Sequence, residues 1–447
     1  MEGRVASRRA AAVLIAAAFI PLLFFGYLFW GSMASPPQLI LWQGEEGEVD
    51  LRLPFRSRVV MDGEQILRFN GAAPGPGGVV LPYETALRLQ PEDLGQARVE
   101  VRLGALPIRR LSVQVLPRLY VIPGGQAVGI TVRSNGIIVV GHAALQSSSG
   151  EEVFPAREAG LRVGDVILKV GESTADSPMQ IKEEVEKSGR GNRPVILEIQ
   201  REGEIRSLAV QPILDPRFGE YRIGLYIRDR TAGVGTLTFY EPATRFYGAL
   251  GHMVTDNDTR KPVDIQEGQL VRASIQGIES GRRGQPGEKR GIFFEGQNIL
   301  GNILRNTEVG IFGELAPDAV SRFTEGNPEL FPVAAAGEVK EGPAEILTVL
   351  SGSRVERFSV RIEKVIKQKK VQGKGLVIQI DDPRLLDQTG GIVQGMSGSP
   401  IIQDGKLIGA VTHVLVNEPR RGFGVHIDWM ILESGLLEGL RNLRRAS

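Results

Sequence analysis

The stretch Gly390-Gly-Ile-Val-Gln-Gly-Met-Ser-Gly-Ser-Pro-Ile-Ile402 decides how the chain is read. At its centre, Gly395-Met-Ser-Gly-Ser-Pro400 is a tight turn with Gly on either side of Ser397. Gly395 lets the backbone take dihedrals that a Cβ would penalise. A Ser on such a turn exposes its Oγ, while nearby backbone N–H groups, here those of Gly395 and Ser397, point into one hole. Such a hole stabilises the oxyanion of a tetrahedral intermediate. Position 399 is Ser, so this is not the Gly-x-Ser-x-Gly elbow of α/β-hydrolases.

A Ser nucleophile needs a base, and the chain has four His: His142, His252, His413 and His426. His252 lies in Gly248-Ala-Leu-Gly-His-Met-Val-Thr-Asp256, where small residues allow the imidazole to pack closely against the nucleophile turn. A His well upstream of the Ser matches the chymotrypsin chain order of His, Asp, Ser. The Ser turn itself resembles the Gly-x-Ser-Gly-Gly-Pro turn of chymotrypsin-fold proteases, with Ser399 in place of Gly. Alignment of the turn selects Ser397, not Ser399, as nucleophile. His142 reads as a surface or groove residue, and His413 and His426 as core or edge positions on strands. Trypsin-like zymogens carry an Asp just before the nucleophile, which pairs with a freed N-terminus. Met396 cannot do this, so activation is expected by another route, such as domain rearrangement or self-cleavage.

Around these motifs the chain reads as mostly β. Its 447 residues exceed one hydrophobic core, and Gly (56) and Pro (26) are plentiful, which favours short strands joined by turns. Residues 36–117 alternate apolar and polar positions and read as a small β domain without chemistry. Residues 118–215 contain Ala159-Gly-Leu, Gly164-Asp-Val-Ile and a closing strand at Pro194-Val-Ile-Leu-Glu-Ile. This segment resembles the PDZ domain of exported bacterial proteases. Such domains capture an extended peptide as an added strand. The resemblance implies that Ala127, Val128, Gly129 and Ile130 present N–H groups to a peptide carboxylate. Residues 216–447 read as a double β-barrel.

At the N-terminus, Ala10 to Trp30 carries no charge and follows Arg4, Arg8 and Arg9. About 20 apolar residues span a bilayer as a helix, and the positive flank stays cytoplasmic. Residues 1–35 are therefore expected to be a cytoplasmic tail and membrane anchor. A signal peptide cleaved near Ser32-Met-Ala34 is the competing reading. Either way the rest of the chain lies outside the cytoplasm.

Composition excludes other classes. Without Cys there is no disulfide, zinc–thiolate site or Cys nucleophile. Lys plus Arg total 53 against 52 for Asp plus Glu, so no nucleic-acid partner is expected. Thr255-Asp-Asn-Asp-Thr259 lacks the acidic spacing of a calcium loop. Gly281-Arg-Arg-Gly-Gln-Pro-Gly-Glu-Lys-Arg-Gly291 lacks the Gly-Lys-Ser/Thr ending of a phosphate loop and reads as a mobile basic loop. No metal or cofactor is expected.

Taken with Thr231-Ala-Gly-Val-Gly-Thr-Leu-Thr-Phe-Tyr240 and Gly424-Val-His-Ile-Asp-Trp429, these motifs resemble the SpoIVB peptidases of spore-forming bacteria. The resemblance implies a chymotrypsin-like serine endopeptidase with Ser397 as nucleophile and His252 as base. It also implies an acid at Asp382, with Asp381, Asp387 and Asp256 as rivals. It further implies secretion into the forespore intermembrane space and self-cleavage. The target would be a regulator of an intramembrane protease, whose cleavage triggers sigma-factor precursor processing. The PDZ domain would bind the protease's own N-terminal region or the target. Two other readings remain: a non-catalytic PDZ scaffold at the membrane, and a general quality-control PDZ protease.

Overall fold

The computed structural model describes residues 38–440, apart from residues 50, 52, 54, 257, 260, 294–297, 324–328 and 369. The expected membrane segment, Ala10 to Trp30, lies outside the described residues. No helix among those described is long and apolar enough to cross a membrane. The described residues fall into two compact units, those within 38–120, 332–339 and 367–371, and those within 121–331, 340–366 and 372–440.

The first unit holds the small β domain. A five-stranded sheet runs in the order Gln38–Trp42, Leu106–Leu116, Gly95–Leu103, Ser57–Gly63, Val79–Leu81. A three-stranded sheet (Gly47–Val49, Leu87–Pro91, Leu67–Phe69) completes it. The apolar positions of the alternating pattern, among them Val59, Phe69, Leu89, Val99 and Val113, meet in one buried core.

The second unit is built from a closed barrel, a half-barrel and an inserted lobe. The barrel closes six strands in the order Gly342–Val349, Val355–Val365, Leu376–Ile380, Arg421–His426, Lys406–Val414, Pro400–Gln403. Alternation explains its interior: Leu376, Ile378 and Ile380 are buried while Val377 and Gln379 are half-buried. Ser397 stands just before the strand Pro400–Gln403 and Asp382 just after Leu376–Ile380.

The half-barrel and the lobe share two strands of 16 residues each, Ala127–His142 and Leu225–Tyr240. Ala127 to Arg133 pairs with Thr236 to Arg230 on one side and with the strand Ile265–Arg272 on the other. Phe246–Ala249, Gly310–Glu314 and Ile299–Asn302 extend this sheet around a core of Val128, Ile130, Leu237, Tyr247 and Leu270. Beyond a register shift after Arg133, the same two strands continue into the lobe, where Ile137 and Ile138 pair with Val166–Val170. Val195–Arg201 and Glu204–Val210 finish the lobe's sheet.

The helix Pro178–Arg190 covers the lobe's sheet. Ser177 and Gln180 cap it reciprocally, Pro178 opens it, and Ile181 and Val185 are buried one turn apart. Inside the lobe, Arg201 and Asp165 pair at 2.7 Å, with their side chains 10% and 1% exposed. Gly160 O accepts a further bond from this guanidinium. Arg201 thus ties the Ala159-Gly-Leu turn to the closing strand.

This architecture corrects two sequence readings. The middle domain does not begin at residue 118, because the segment up to Arg133 is half-barrel strand and the lobe is nested within that sheet. Ala127, Val128, Gly129 and Ile130 are not a carboxylate-binding loop either. They lie inside a strand with partners on both edges, so their backbone groups are already engaged. The Phe293 ring also covers Gly129, where an added Cβ would come within 2.4 Å of it.

Candidate active site

The turn that carries Ser397 is held from both barrels. Gly395 (φ 89°) and Gly398 (φ 92°) take left-handed backbone that L side chains rarely adopt. Thr236 of the half-barrel grips the turn twice: its N–H donates to Ser397 O at 3.0 Å and its Oγ1 to Gly395 O at 2.8 Å. Thr238 Oγ1 donates to Gly398 O at 2.8 Å. From the closed barrel, Gly398 N–H donates to Val411 O at 2.8 Å.

The two peptide planes that carry the expected oxyanion donors are each fixed by their carbonyl. Gln394 O accepts from Lys289 N–H at 2.9 Å, and Met396 O accepts from Ser399 N–H at 2.9 Å. Among the described residues, the Gly395 and Ser397 N–H groups reach no backbone carbonyl.

His252 follows the strand Phe246–Ala249 through Leu250 (φ 69°) and Gly251 (φ 69°). These two left-handed residues turn the chain toward the closed barrel. An added Cβ on Gly251 would come within 2.9 Å of Thr412 Cγ2 and 3.2 Å of Val425 Cγ1. Ser397 Oγ donates to Thr412 O at 2.7 Å, and the His252 ring lies 5.1 Å from that of His413. Ser397 and His252 therefore converge on the same segment of the strand Lys406–Val414.

His252 Nδ1 lies 2.8 Å from Met253 O. A carbonyl only accepts, so Nδ1 carries the proton and Nε2 of the neutral ring is left as an acceptor. Burial holds His252 below the ordinary imidazole range, and the bond to Met253 partly offsets this. Desolvation, His252 and Lys374 together push His413 down to about 4. Both rings are thus uncharged at neutral pH, which lets them lie side by side.

Among the described residues Asp382 does not bond to His252, whose Nδ1 is on Met253 O. It caps the helix Pro383–Thr389, accepting from Arg384 N–H at 2.9 Å and Leu385 N–H at 3.3 Å. Ser359 N–H and the Arg384 guanidinium take its other oxygen. Leu376 pairs with Gly424, beside the Val425 that meets Gly251. Asp382 lies two residues past the end of the strand Leu376–Ile380 and opens the helix Pro383–Thr389. The expected acid is thus a helix cap, and the Met253 carbonyl fixes the tautomer of His252.

Two of the three rival carboxylates, Asp381 and Asp256, are engaged elsewhere. Asp381 accepts from Ser359 Oγ, and Asp256 holds its own turn through Asp258 and Thr259 N–H. Asp382→Ala is expected to cost about 1 kcal/mol through the lost cap. Thermal unfolding reads this, and an unchanged Tm would contradict the capping role.

His142 Nε2 bonds to Leu161 O within the lobe, and His426 is buried before the helix Ile427–Ser434. Sequence reasoning missed Lys289. The run Gly281 to Gly291 reads as a basic loop, yet its end is the strand Glu288–Ile292 and Lys289 is 2% exposed. Its Nζ donates to Thr348 Oγ1 at 2.6 Å, and burial pushes it down to about 7. Gly287 and Lys289 are buried and Glu288 and Arg290 exposed, an alternation that the polar sequence Gly-Glu-Lys-Arg-Gly does not itself display.

A Ser on a Gly-flanked turn, a neutral imidazole held over the same strand and two N–H groups that reach no backbone carbonyl among the described residues are parts that a serine peptidase uses. The model of the SpoIVB peptidase S55 family matches residues 219–431. That stretch holds both motifs, and the model it matches is that of the family the sequence resembles.

A putative zinc metalloprotease of Treponema pallidum (strain Nichols) is 27% identical over 157 residues, covering 32% of this chain and 32% of that one. The chain thus spans about a third of that relative's length. No two His of this chain stand four residues apart, as an H-E-x-x-H zinc helix needs. Among solved structures, the Rv3671c protease in its inactive form is 16% identical, with a TM-score of 0.26, over 45% of this chain and 82% of that one. The active form, from M. tuberculosis, is 15% identical, with a TM-score of 0.26, over 45% and 73%.

Proposed function

We propose that the chain is a chymotrypsin-like double-barrel endopeptidase acting through an acyl-enzyme, with Ser397 as nucleophile and His252 as base. The observation that carries this reading is the convergence of Ser397 and the Nδ1-protonated His252 on Thr412 and His413. In the reaction Ser397 Oγ leaves Thr412 O for His252 Nε2 and attacks the scissile carbonyl. His252 then returns the proton to the leaving amine. The Gly395 and Ser397 N–H groups receive the oxyanion.

The cellular role we propose follows the family: a protease tethered outside the cytoplasm by Ala10–Trp30, in the forespore intermembrane space. It cleaves itself and a regulator of an intramembrane protease, and so triggers sigma-factor precursor processing. The nested lobe serves as its PDZ-like domain, and its ligand is the chain's own N-terminal region or the target. The combination of an apolar N-terminal run, the Ala159-Gly-Leu and Gly164-Asp-Val-Ile motifs and the family match supports this reading.

The test is digestion by the full chain in detergent. Cleavage of the candidate regulator at one site, with a reduced and unfolded bystander protein left whole, is expected. Broad digestion of the bystander would favour a quality-control protease instead.

The pH dependence follows from His252. Protonated imidazole cannot take the Ser397 proton, so activity is present above its pKa and lost below. Because burial lowers that pKa, the acid limb of kcat/KM is expected below the ordinary value of about 6.5. A midpoint at or above neutrality in the pH–rate profile would contradict the assignment.

A further inference from the structure

We infer that Lys289, Thr348 and Ser399 form a buried hydrogen-bonded strut that sets the oxyanion hole, with Lys289 and Ser399 as positioning residues. The inference rests on Ser397 being the nucleophile. The hole needs two peptide N–H groups aimed at one point, so two peptide planes must be held. Lys289 N–H holds the plane of Gln394–Gly395 by donating to Gln394 O. Ser399 N–H holds the plane of Met396–Ser397 by donating to Met396 O. These clamping residues come from different parts of the chain, the strand Glu288–Ile292 and the end of the nucleophile turn.

Their side chains meet at one atom. Lys289 Nζ donates to Thr348 Oγ1 at 2.6 Å, and Ser399 Oγ donates to the same oxygen at 3.0 Å. Thr348 sits on the closed barrel's strand Gly342–Val349, and both Thr348 and Ser399 are fully buried. The two planes are thus braced against each other and against the barrel.

Two features fit this role. Burying an ammonium is costly, and no carboxylate pairs with Lys289 among the described residues. Position 399 is Ser where the wider chymotrypsin turn has Gly, and its hydroxyl is spent on the strut. Met396 leaves the turn without the Asp that zymogens use, and the strut supplies a bracing contact from a different direction. The side chain of Lys289 also packs under Gly395, where an added Cβ would lie 3.0 Å from Lys289 Cβ.

The test uses the full chain in detergent and a fluorophosphonate, separating the saturating labelling rate (kinact) from the half-saturating concentration (KI). Thr348→Val, Ser399→Ala and Lys289→Met are expected to lower kinact about 10- to 100-fold, as misplaced catalytic groups do. KI should stay within about twofold, because the donors act on the transition state. Thr348→Ser keeps the hydroxyl and is expected to label within about threefold of the parent.

Melting curves accompany each variant, and Ser399→Ala, the smallest change, serves if the others fail to fold. Folded Thr348→Val or Ser399→Ala protein that labels like the parent would overturn the strut while leaving Ser397 as nucleophile. So would a Thr348→Ser variant as slow as Thr348→Val. A parent that labels no faster than Ser397→Ala would remove the nucleophile assignment, and the strut with it.

Discussion

Ser397→Ala is expected to abolish both self-cleavage and fluorophosphonate labelling while leaving the fold intact. Loss of a nucleophile that works with its base as a unit lowers kcat on the order of 10⁶-fold. The structural cost is small by comparison. The hydroxyl donates one hydrogen bond, to Thr412 O, and its removal is worth about 1 kcal/mol. His252→Ala is expected to cost nearly as much activity. The double variant should be no worse than either single one, because the two residues act together. Additive losses would mean that they serve separate steps. Time courses of chain integrity for the three variants and the parent decide this.

Gly398→Ala is expected to have the next largest effect, through geometry instead of chemistry. Gly398 has φ 92°, and an added Cβ would fall 2.1 Å from Thr236 O and 2.5 Å from Leu250 N. Both are backbone atoms, so no rotamer change relieves the clash. Either the nucleophile turn or the segment leading to His252 must shift. A displacement near 1 Å costs about 100-fold in rate, so at least that loss is expected, together with a lower Tm. Gly405→Ala is the control. It shares the left-handed backbone at φ 73° but has no atom within 4 Å of an added Cβ. It should cost about 1–2 kcal/mol of stability and leave labelling unchanged. Equal labelling by Gly398→Ala and the parent would show that the contact between the two barrels does not set the site.

The sequence carried the local parts of this account well. Period-two alternation marks Leu376–Ile380 and Val195–Arg201, and burial follows it. Ser177, Pro178 and Gln180 announce the lobe's helix. The Gly-flanked turn and the small residues before His252 single out both groups, Ser397 at Thr412 and His252 at His413.

Non-local facts were not legible. Ala127–His142 and Leu225–Tyr240 each serve two sheets, and nothing within a strand tells which partner pairs with which end. The nested lobe and the paired state of Ala127 to Ile130 were hidden for that reason. Asp382 before Pro383 is equally a helix cap and a candidate acid, and only its position along the barrel strand separates the two. Lys289 was masked by the charged residues around it, because a Lys in a basic run looks solvated until the strand register turns it inward.

The most direct test of the central claim is to label the full chain with a fluorophosphonate and map the adduct by mass spectrometry. The account predicts one adduct, on Ser397, formed quickly at neutral pH and absent from His252→Ala protein. An adduct on another Ser, or labelling of the folded parent no faster than of a denatured control, would contradict it.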